Sequence, residues 1–275
     1  MKLKKVLIKY GGNAMTTPSL QTAIAREVAG LRAAGYAPII AHGGGPFIQA
    51  ALQQANIPSH FVQGQRYTSQ EALQVITRTL IGQVNADLVV AFRAAGMQAV
   101  GLSGLDAGMV QAKRKLLPPG EGELTNAPLD LGEVGEITAT NPALLEHLLE
   151  NGFTPIVACI AGAADKEGAY NVNGDDFAAA LAAALKAEIF LILSDVDGLY
   201  REYPNPESLI HDLPLAELEG LYGKVISGGM IPKMQACARA IAQGLGGALL
   251  LNGTKPEQFR QYFIEKRVVG THLHP

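Results

Sequence analysis

The stretch Ile189-Phe190-Leu191-Ile192-Leu193, running into Ser194-Asp195-Val196-Asp197-Gly198, decides the fold. Its apolar run shows no polar alternation, so a strand formed here is buried on both faces. Ile39-Ile40-Ala41 and Pro155-Ile156-Val157-Ala158 have the same character. Strands of this kind belong to a parallel sheet covered by helices. Working outward, further short strands are expected at residues 6–9, 36–41, 99–102, 153–159 and 248–251. Helical patterns at residues 20–34, 46–55, 70–95, 141–150, 175–187, 230–243 and 257–265 fall between them or after the last. The alternation predicts an α/β fold, a three-layer αβα sandwich around a mainly parallel open sheet. Residues 108–135, rich in Gly, Pro and charge, break the rhythm and read as a projecting hairpin or loop. Lys113-Arg114-Lys115 within it reads as a solvated turn.

A chain of 275 residues is long enough to bury a large core without staples. Hydrophobic residues make up 48% and charged residues 17%, which excludes a disordered chain. The net charge of -3 and the absence of Trp leave neither a basic surface nor a stacking platform, so no nucleic-acid partner is expected. No apolar run approaches the length of a membrane span, so no membrane partner is expected. Cys159 and Cys237 form no CxxC pair. They read as buried free thiols of a cytoplasmic protein, although one disulfide also fits the count.

Glycine clusters stand where strands end. Gly11-Gly12 follows the first strand, Gly43-Gly44-Gly45 the second, and Gly228-Gly229 precedes the helix near Met230. Glycine lets backbone N–H groups approach an anion closely, and a helix N-terminus adds a favourable dipole. Lys9 precedes one cluster and Lys233 follows another, both at the sheet edge where open α/β sheets bind ligands. Asn171-Val172-Asn173-Gly174-Asp175-Asp176 offers more hydrogen-bonding groups than one helix cap needs. There is no G-x-x-x-x-G-K-[ST] loop, no G-x-G-x-x-G after the first strand, no G-x-S-x-G elbow and no H-E-x-x-H.

Taken in order, Lys9-Tyr10-Gly11-Gly12, His42-Gly43-Gly44-Gly45-Pro46, Gly64-Gln65-Arg66-Tyr67-Thr68 and Gly101-Leu102-Ser103-Gly104-Leu105-Asp106 form a series. It continues through Asn171-Val172-Asn173-Gly174-Asp175, Ser194-Asp195-Val196-Asp197-Gly198 and Gly228-Gly229-Met230-Ile231-Pro232-Lys233. Over almost its whole length the chain resembles the amino acid kinase family, most of all the branch acting on N-acetyl-L-glutamate. The resemblance implies a cytoplasmic, ATP-dependent kinase that phosphorylates the γ-carboxylate of N-acetyl-L-glutamate to an acyl phosphate, as in arginine biosynthesis. Alternatives are a kinase for a related carboxylate, such as carrier-linked aminoadipate in lysine biosynthesis, and a non-catalytic nucleotide or amino-acid sensor.

The resemblance also implies roles. Lys9 and Lys233 would stabilise the phosphoryl group, with Asp175 holding both lysines. Gly44, Gly45, Arg66, Asn171 and Asn173 would bind the acyl amino acid. Gly11, Gly12, Ser194, Asp195, Val196, Asp197, Gly198, Leu199, Tyr200, Val225, Ile226, Ser227, Gly229 and Met230 would bind ATP. Mg2+ would be held mainly by the nucleotide phosphates, with no dedicated protein metal site. Residues 1–174 would form a substrate-binding and dimerisation lobe and residues 175–275 a nucleotide lobe. The family usually has a hydrophobic residue at Gln65 and often an acidic one at Ser69. With at most Met1–Lys4 ahead of the first strand, a homodimer without an extra N-terminal helix is expected, and insensitivity to arginine with it.

Overall fold

The computed structural model describes residues 3–118 and 127–275. Its strands are β1 (Lys4–Tyr10), β2 (Tyr36–His42), β3 (Phe61–Val62), β4 (Gln65–Arg66), β5 (Ala99–Ser103), β6 (Val110–Leu117), β7 (Leu129–Thr140) and β8 (Thr154–Ala158). They continue as β9 (Ile160–Ala163), β10 (Ala169–Asn171), β11 (Ile189–Ser194), β12 (Leu199–Tyr200), β13 (Leu209–Ile210), β14 (Asp212–Pro214), β15 (Ala248–Asn252) and β16 (Thr271–His274). An eight-stranded sheet runs β14-β16-β15-β11-β1-β2-β8-β5. From β15 to β5 every pairing is parallel, and only the β15–β16 pairing is antiparallel. All residues of β2, β8 and β15 are buried, as continuous apolar strands require.

Helices cover both faces, which makes the expected αβα sandwich. Pro18–Ala33, Gln70–Ala94 and Glu257–Phe263 pack together on one side. Gly174–Leu185 and Met230–Ala242 pack against each other on the other. The boundaries have local causes. Asn173 caps its helix by accepting from the N–H groups of Asp175 and Asp176. Ser69 caps the long helix by accepting from Ala72 N–H at 3.1 Å.

The long helix differs from its sequence reading in one respect: residues Arg78–Asn85 are π-helical. Gln70–Ala94 is long and apolar enough to cross a membrane by length and composition. Here it buries Ile76, Leu80, Val84, Leu88 and Phe92 in the core and leaves Glu71, Arg78, Asp87 and Arg93 exposed.

The expected hairpin is present as β6 and β7, and residues 119–126 between them lie outside the described residues. It does not merely project. With β9 and β10 it closes a small four-stranded barrel beside the main sheet. Its basic triplet is paired: Lys113 with Glu136, Arg114 with Asp130 and Glu133, and Lys115 with Asp176. The short ribbons β3–β4 and β12–β13, which apolar periodicity does not reveal, complete the chain.

Candidate active site

The C-terminal ends of the parallel strands share one edge of the sheet. β1 delivers Lys9 there, and the turns Gly11-Gly12 and Gly43-Gly44-Gly45 follow β1 and β2. β11 delivers Ser194 and Asp195, while the helices starting at Gly174 and Met230 bring Asp175 and Lys233 in their first turns. Two clefts result. One, of about 370 Å³, is lined by Lys9, Gly11, Gly12, Gly44, Gly45, Arg66, Asn171, Asn173, Asp175, Gly229 and Lys233, among others. The other, of about 230 Å³, is lined by Lys9, Gly12, Ser194, Asp195, Val196, Gly229, Met230 and Lys233. Lys9, Gly12, Gly229 and Lys233 belong to both, so the two ammonium groups stand where the clefts meet.

Lys9 Nζ lies 2.9 Å from Asp175 Oδ1, with side chains only 11% and 8% exposed. The contact is an ion pair between two largely buried side chains. Burial alone would raise the Asp175 pKa, but the charges of Lys9 and Lys233 outweigh it and hold the carboxyl below its ordinary value. Burial lowers the Lys233 pKa, with Asp175 opposing and Lys9 reinforcing the shift. Lys233 Nζ donates to the Gly229 carbonyl at 3.3 Å. Asp176, the neighbour of Asp175, points to other partners, Arg239 and Lys115.

Asn173 spends its Oδ1 on the helix cap, accepting from Asp175 N–H at 2.9 Å and Asp176 N–H at 3.1 Å. Asn171 Nδ2 donates to Thr68 Oγ1 at 3.2 Å, and that hydroxyl donates to the Arg66 carbonyl at 3.1 Å. Thr68 is fully buried and bonded through its backbone to β7. Arg66 bonds Gln49 Oε1 at 2.9 Å and Ser59 Oγ, and its guanidinium lies 4.6 Å from the Phe61 ring centre. Burial lowers its pKa from the ordinary arginine value. Gln65 lines the same cleft beside it.

The expected nucleotide residues divide. Gly11, Gly12, Ser194, Asp195, Val196, Gly229 and Met230 line the clefts. Asp197, Gly198, Leu199, Tyr200, Val225, Ile226 and Ser227 line neither. Asp197 accepts from Tyr200, Asn252, Lys255 and Gln258, and so ties β11, β12 and β15 together. Gly198 has a positive φ of 157°, and a Cβ there would lie 2.4 Å from Thr271 Oγ1. That hydroxyl accepts from Leu199 N–H at 2.8 Å. Leu199 and Ile226 are buried in the core. Among the described residues no group of three or more His, Cys, Asp or Glu is placed to hold a metal ion.

Sequence reasoning named Thr68 only as part of a motif and did not assign it a task. Its signal was its place two residues after Arg66. Asn85 carried no signal. It lies in the π-helical segment, and its Nδ2 reaches His42 Nε2 at 2.9 Å.

With this geometry in place, comparison with known proteins is direct. The model of the amino acid kinase family matches residues 4–248. A protein named acetylglutamate kinase from Acidothermus cellulolyticus is 41% identical over 275 residues, covering 99% of this chain and 91% of the relative. Another of that name from Streptomyces coelicolor is 42% identical over 272 residues, covering 99% and 87%. The solved structure of N-acetylglutamate synthase from Neisseria gonorrhoeae, with coenzyme A and N-acetyl-glutamate, superposes with a TM-score of 0.82. At 18% identity over 99% of this chain and 59% of that one, it speaks to fold alone. The chain belongs to the amino acid kinase family.

Proposed function

We propose that this protein transfers the γ-phosphoryl group of ATP to the γ-carboxylate of N-acetyl-L-glutamate, giving an acyl phosphate and ADP, as in arginine biosynthesis. The observation that carries the reading is the nearly buried Lys9–Asp175 pair and the half-buried Lys233 at the junction of two clefts. The name shared by its relatives supports the acceptor.

The chemistry asks little of a base. The acceptor carboxylate is ionised at neutral pH and attacks phosphorus directly. A carboxylate oxygen–phosphorus bond forms, the bond from phosphorus to the bridging oxygen breaks, and ADP leaves with that electron pair. The site must hold two anions in line and neutralise charge on the moving group. Lys9 and Lys233 supply two positive charges there, and Asp175 fixes them. The N–H groups of Gly11 and Gly12 serve the nucleotide phosphates, and those of Gly44 and Gly45 the acceptor and the moving phosphoryl group. Arg66 holds the α-carboxylate with its planar fork, while Asn171 and Asn173 hold the rest of the acyl amino acid. Mg2+ would be held mainly by the ATP phosphates and would offset their charge there.

ATP lies over Ser194, Asp195, Val196, Gly229 and Met230. Asp197–Tyr200 and Val225–Ser227 flank its adenine and ribose, a role carried by the resemblance. The substrate lobe is residues 1–174 and the nucleotide lobe residues 175–275, with the sheet continuous between them through β1 and β11. The chain forms a two-fold dimer, a reading supported by edge strand β5 and by Val90, 69% exposed on the long helix beside it. Buried free Cys159 and Cys237 support a reducing compartment, the cytoplasm.

The test is ADP release with N-acetyl-L-glutamate, glutamate, aspartate and N-acetyl-aminoadipate, with hydroxylamine trapping of the acyl phosphate. Fastest turnover with N-acetyl-L-glutamate is expected. Preference for another acceptor, or no trapped product, would overturn the assignment.

A further inference from the structure

His42 is 1% exposed at the end of β2, immediately before Gly43-Gly44-Gly45. One ring nitrogen, Nδ1, lies 2.9 Å from the Gly43 carbonyl oxygen, and the other, Nε2, lies 2.9 Å from Asn85 Nδ2. Asn85 Nδ2 also faces the carbonyls of Ile156 at 2.8 Å and Leu102 at 3.2 Å. Two carbonyl oxygens demand a donor, so the amide of Asn85 must present its nitrogen. His42 Nε2 is then the acceptor, the ring proton sits on Nδ1, and Nδ1–H donates to Gly43. Burial pushes the imidazole pKa down to about 4, so the ring stays neutral in this tautomer at neutral pH.

The consequence falls on the next amide. The Gly43–Gly44 peptide is trans and planar, so the Gly44 N–H points opposite to the Gly43 carbonyl. With that carbonyl held on the buried side by His42, the Gly44 N–H is turned to the cleft that Gly43 and Gly44 line. No backbone carbonyl among the described residues accepts from it. The same π-helical segment that presents Asn85 also packs under this turn. A Cβ on Gly44 would lie 2.8 Å from Leu80 Cδ2 and 3.3 Å from Val84 Cγ2. π-Helical turns are rare and concentrate at functional sites.

We infer that His42 and Asn85 are positioning residues: their hydrogen-bond chain sets the Gly43–Gly44 peptide plane so that the Gly44 N–H meets the acceptor carboxylate or moving phosphoryl group. This rests on the kinase reading and adds to it two residues that touch neither ligand.

The test uses two replacements for one ring. The amide nitrogen of asparagine can take the place of Nδ1 as donor, and the amide oxygen of glutamine the place of Nε2 as acceptor. His42→Asn keeps the donor to Gly43, whereas His42→Gln loses it. We expect kcat to fall at least about 10-fold in His42→Gln, less than the about 10²–10³ for outright removal of one oxyanion donor because the Gly44 N–H is misdirected and not removed, with the KM for ATP nearly unchanged. His42→Asn should recover most of that loss. Asn85→Ala frees the ring to take the other tautomer and should lower kcat like His42→Gln. It replaces that variant in the comparison if His42→Gln does not fold, as judged by circular dichroism and thermal melting. Equal damage in the asparagine and glutamine variants, or wild-type kcat in a folded His42→Gln or Asn85→Ala protein, would overturn the inference. Failure of the kinase reading itself would show as an inactive wild type. Calorimetric titration with N-acetyl-L-glutamate then decides the matter. Weaker binding by His42→Gln than by His42→Asn supports the positioning role, and equal binding removes it.

Discussion

Lys9 and Asp175, one at the end of the first strand and the other in the first turn of a helix from the second half of the chain, form a buried ion pair at 2.9 Å. Lys233 completes the group from a third element, and its charge helps to keep the Asp175 carboxyl ionised. The pair therefore joins the two halves of the chain at the point where the two clefts meet.

Asp175→Asn would leave the Lys9 charge buried without its partner. Breaking such a pair costs about 3–5 kcal/mol, which should appear as a lowered denaturant midpoint at pH 7. The pH dependence has a definite sign. The folded-state pKa lies below the ordinary value of 3.8, so the stabilisation is fully present above that value. It is lost as pH falls through the folded pKa. Wild-type stability should therefore fall more steeply than that of Asp175→Asn below about pH 4. Parallel curves for the two proteins would show that the carboxylate is not stabilised by the lysines.

Lys233→Ala should lower kcat by about 10²–10³, the scale of losing one donor to developing charge. Michaelis constants for ATP and the acyl amino acid should move much less. A near-normal kcat in steady-state assays would remove Lys233 from the chemistry.

Arg66→Lys replaces a planar fork with a point charge and cannot keep bidentate geometry to a carboxylate. A raised KM for the acyl amino acid with little change for ATP is expected. Should the effect fall on ATP instead, Arg66 serves the nucleotide.

Thr68→Val removes the hydroxyl that accepts from Asn171 and donates to the Arg66 carbonyl, while nearly conserving shape. Loss of stability of about 1–3 kcal/mol follows from the amide left unpaired. The KM for the acyl amino acid should rise more than that for ATP, and Thr68→Ser should restore both stability and KM. If Ser and Val behave alike, the methyl contacts and not the hydroxyl set the position of Asn171.

Much of this protein is determined by its sequence alone, for local reasons. Unbroken apolar runs such as Ile189–Leu193 have one stable environment, a strand covered on both faces, and the helices between them order the sheet. Glycine turns after β1 and β2 place Lys9 and Gly43–Gly45 at the same edge without reference to anything distant. Other features depend on contacts between residues far apart in the chain. The hairpin of β6 and β7 reads as a projection because its apolar residues find partners only when β9 and β10 close the barrel. Asp197 reads as a ligand residue beside Asp195, and only the fold brings Asn252, Lys255 and Gln258 from the far end of the chain to hydrogen-bond it. Asn85 is one of several polar residues in its helix, and nothing local sets it apart from the others. Only the packing of that helix across β5 and β8 brings it to His42 and the carbonyls of Leu102 and Ile156. A side chain's hydrogen-bond capacity is written in its residue type, whereas the partner that uses it is chosen by the fold, because a buried polar group must be satisfied by whatever folding brings within reach.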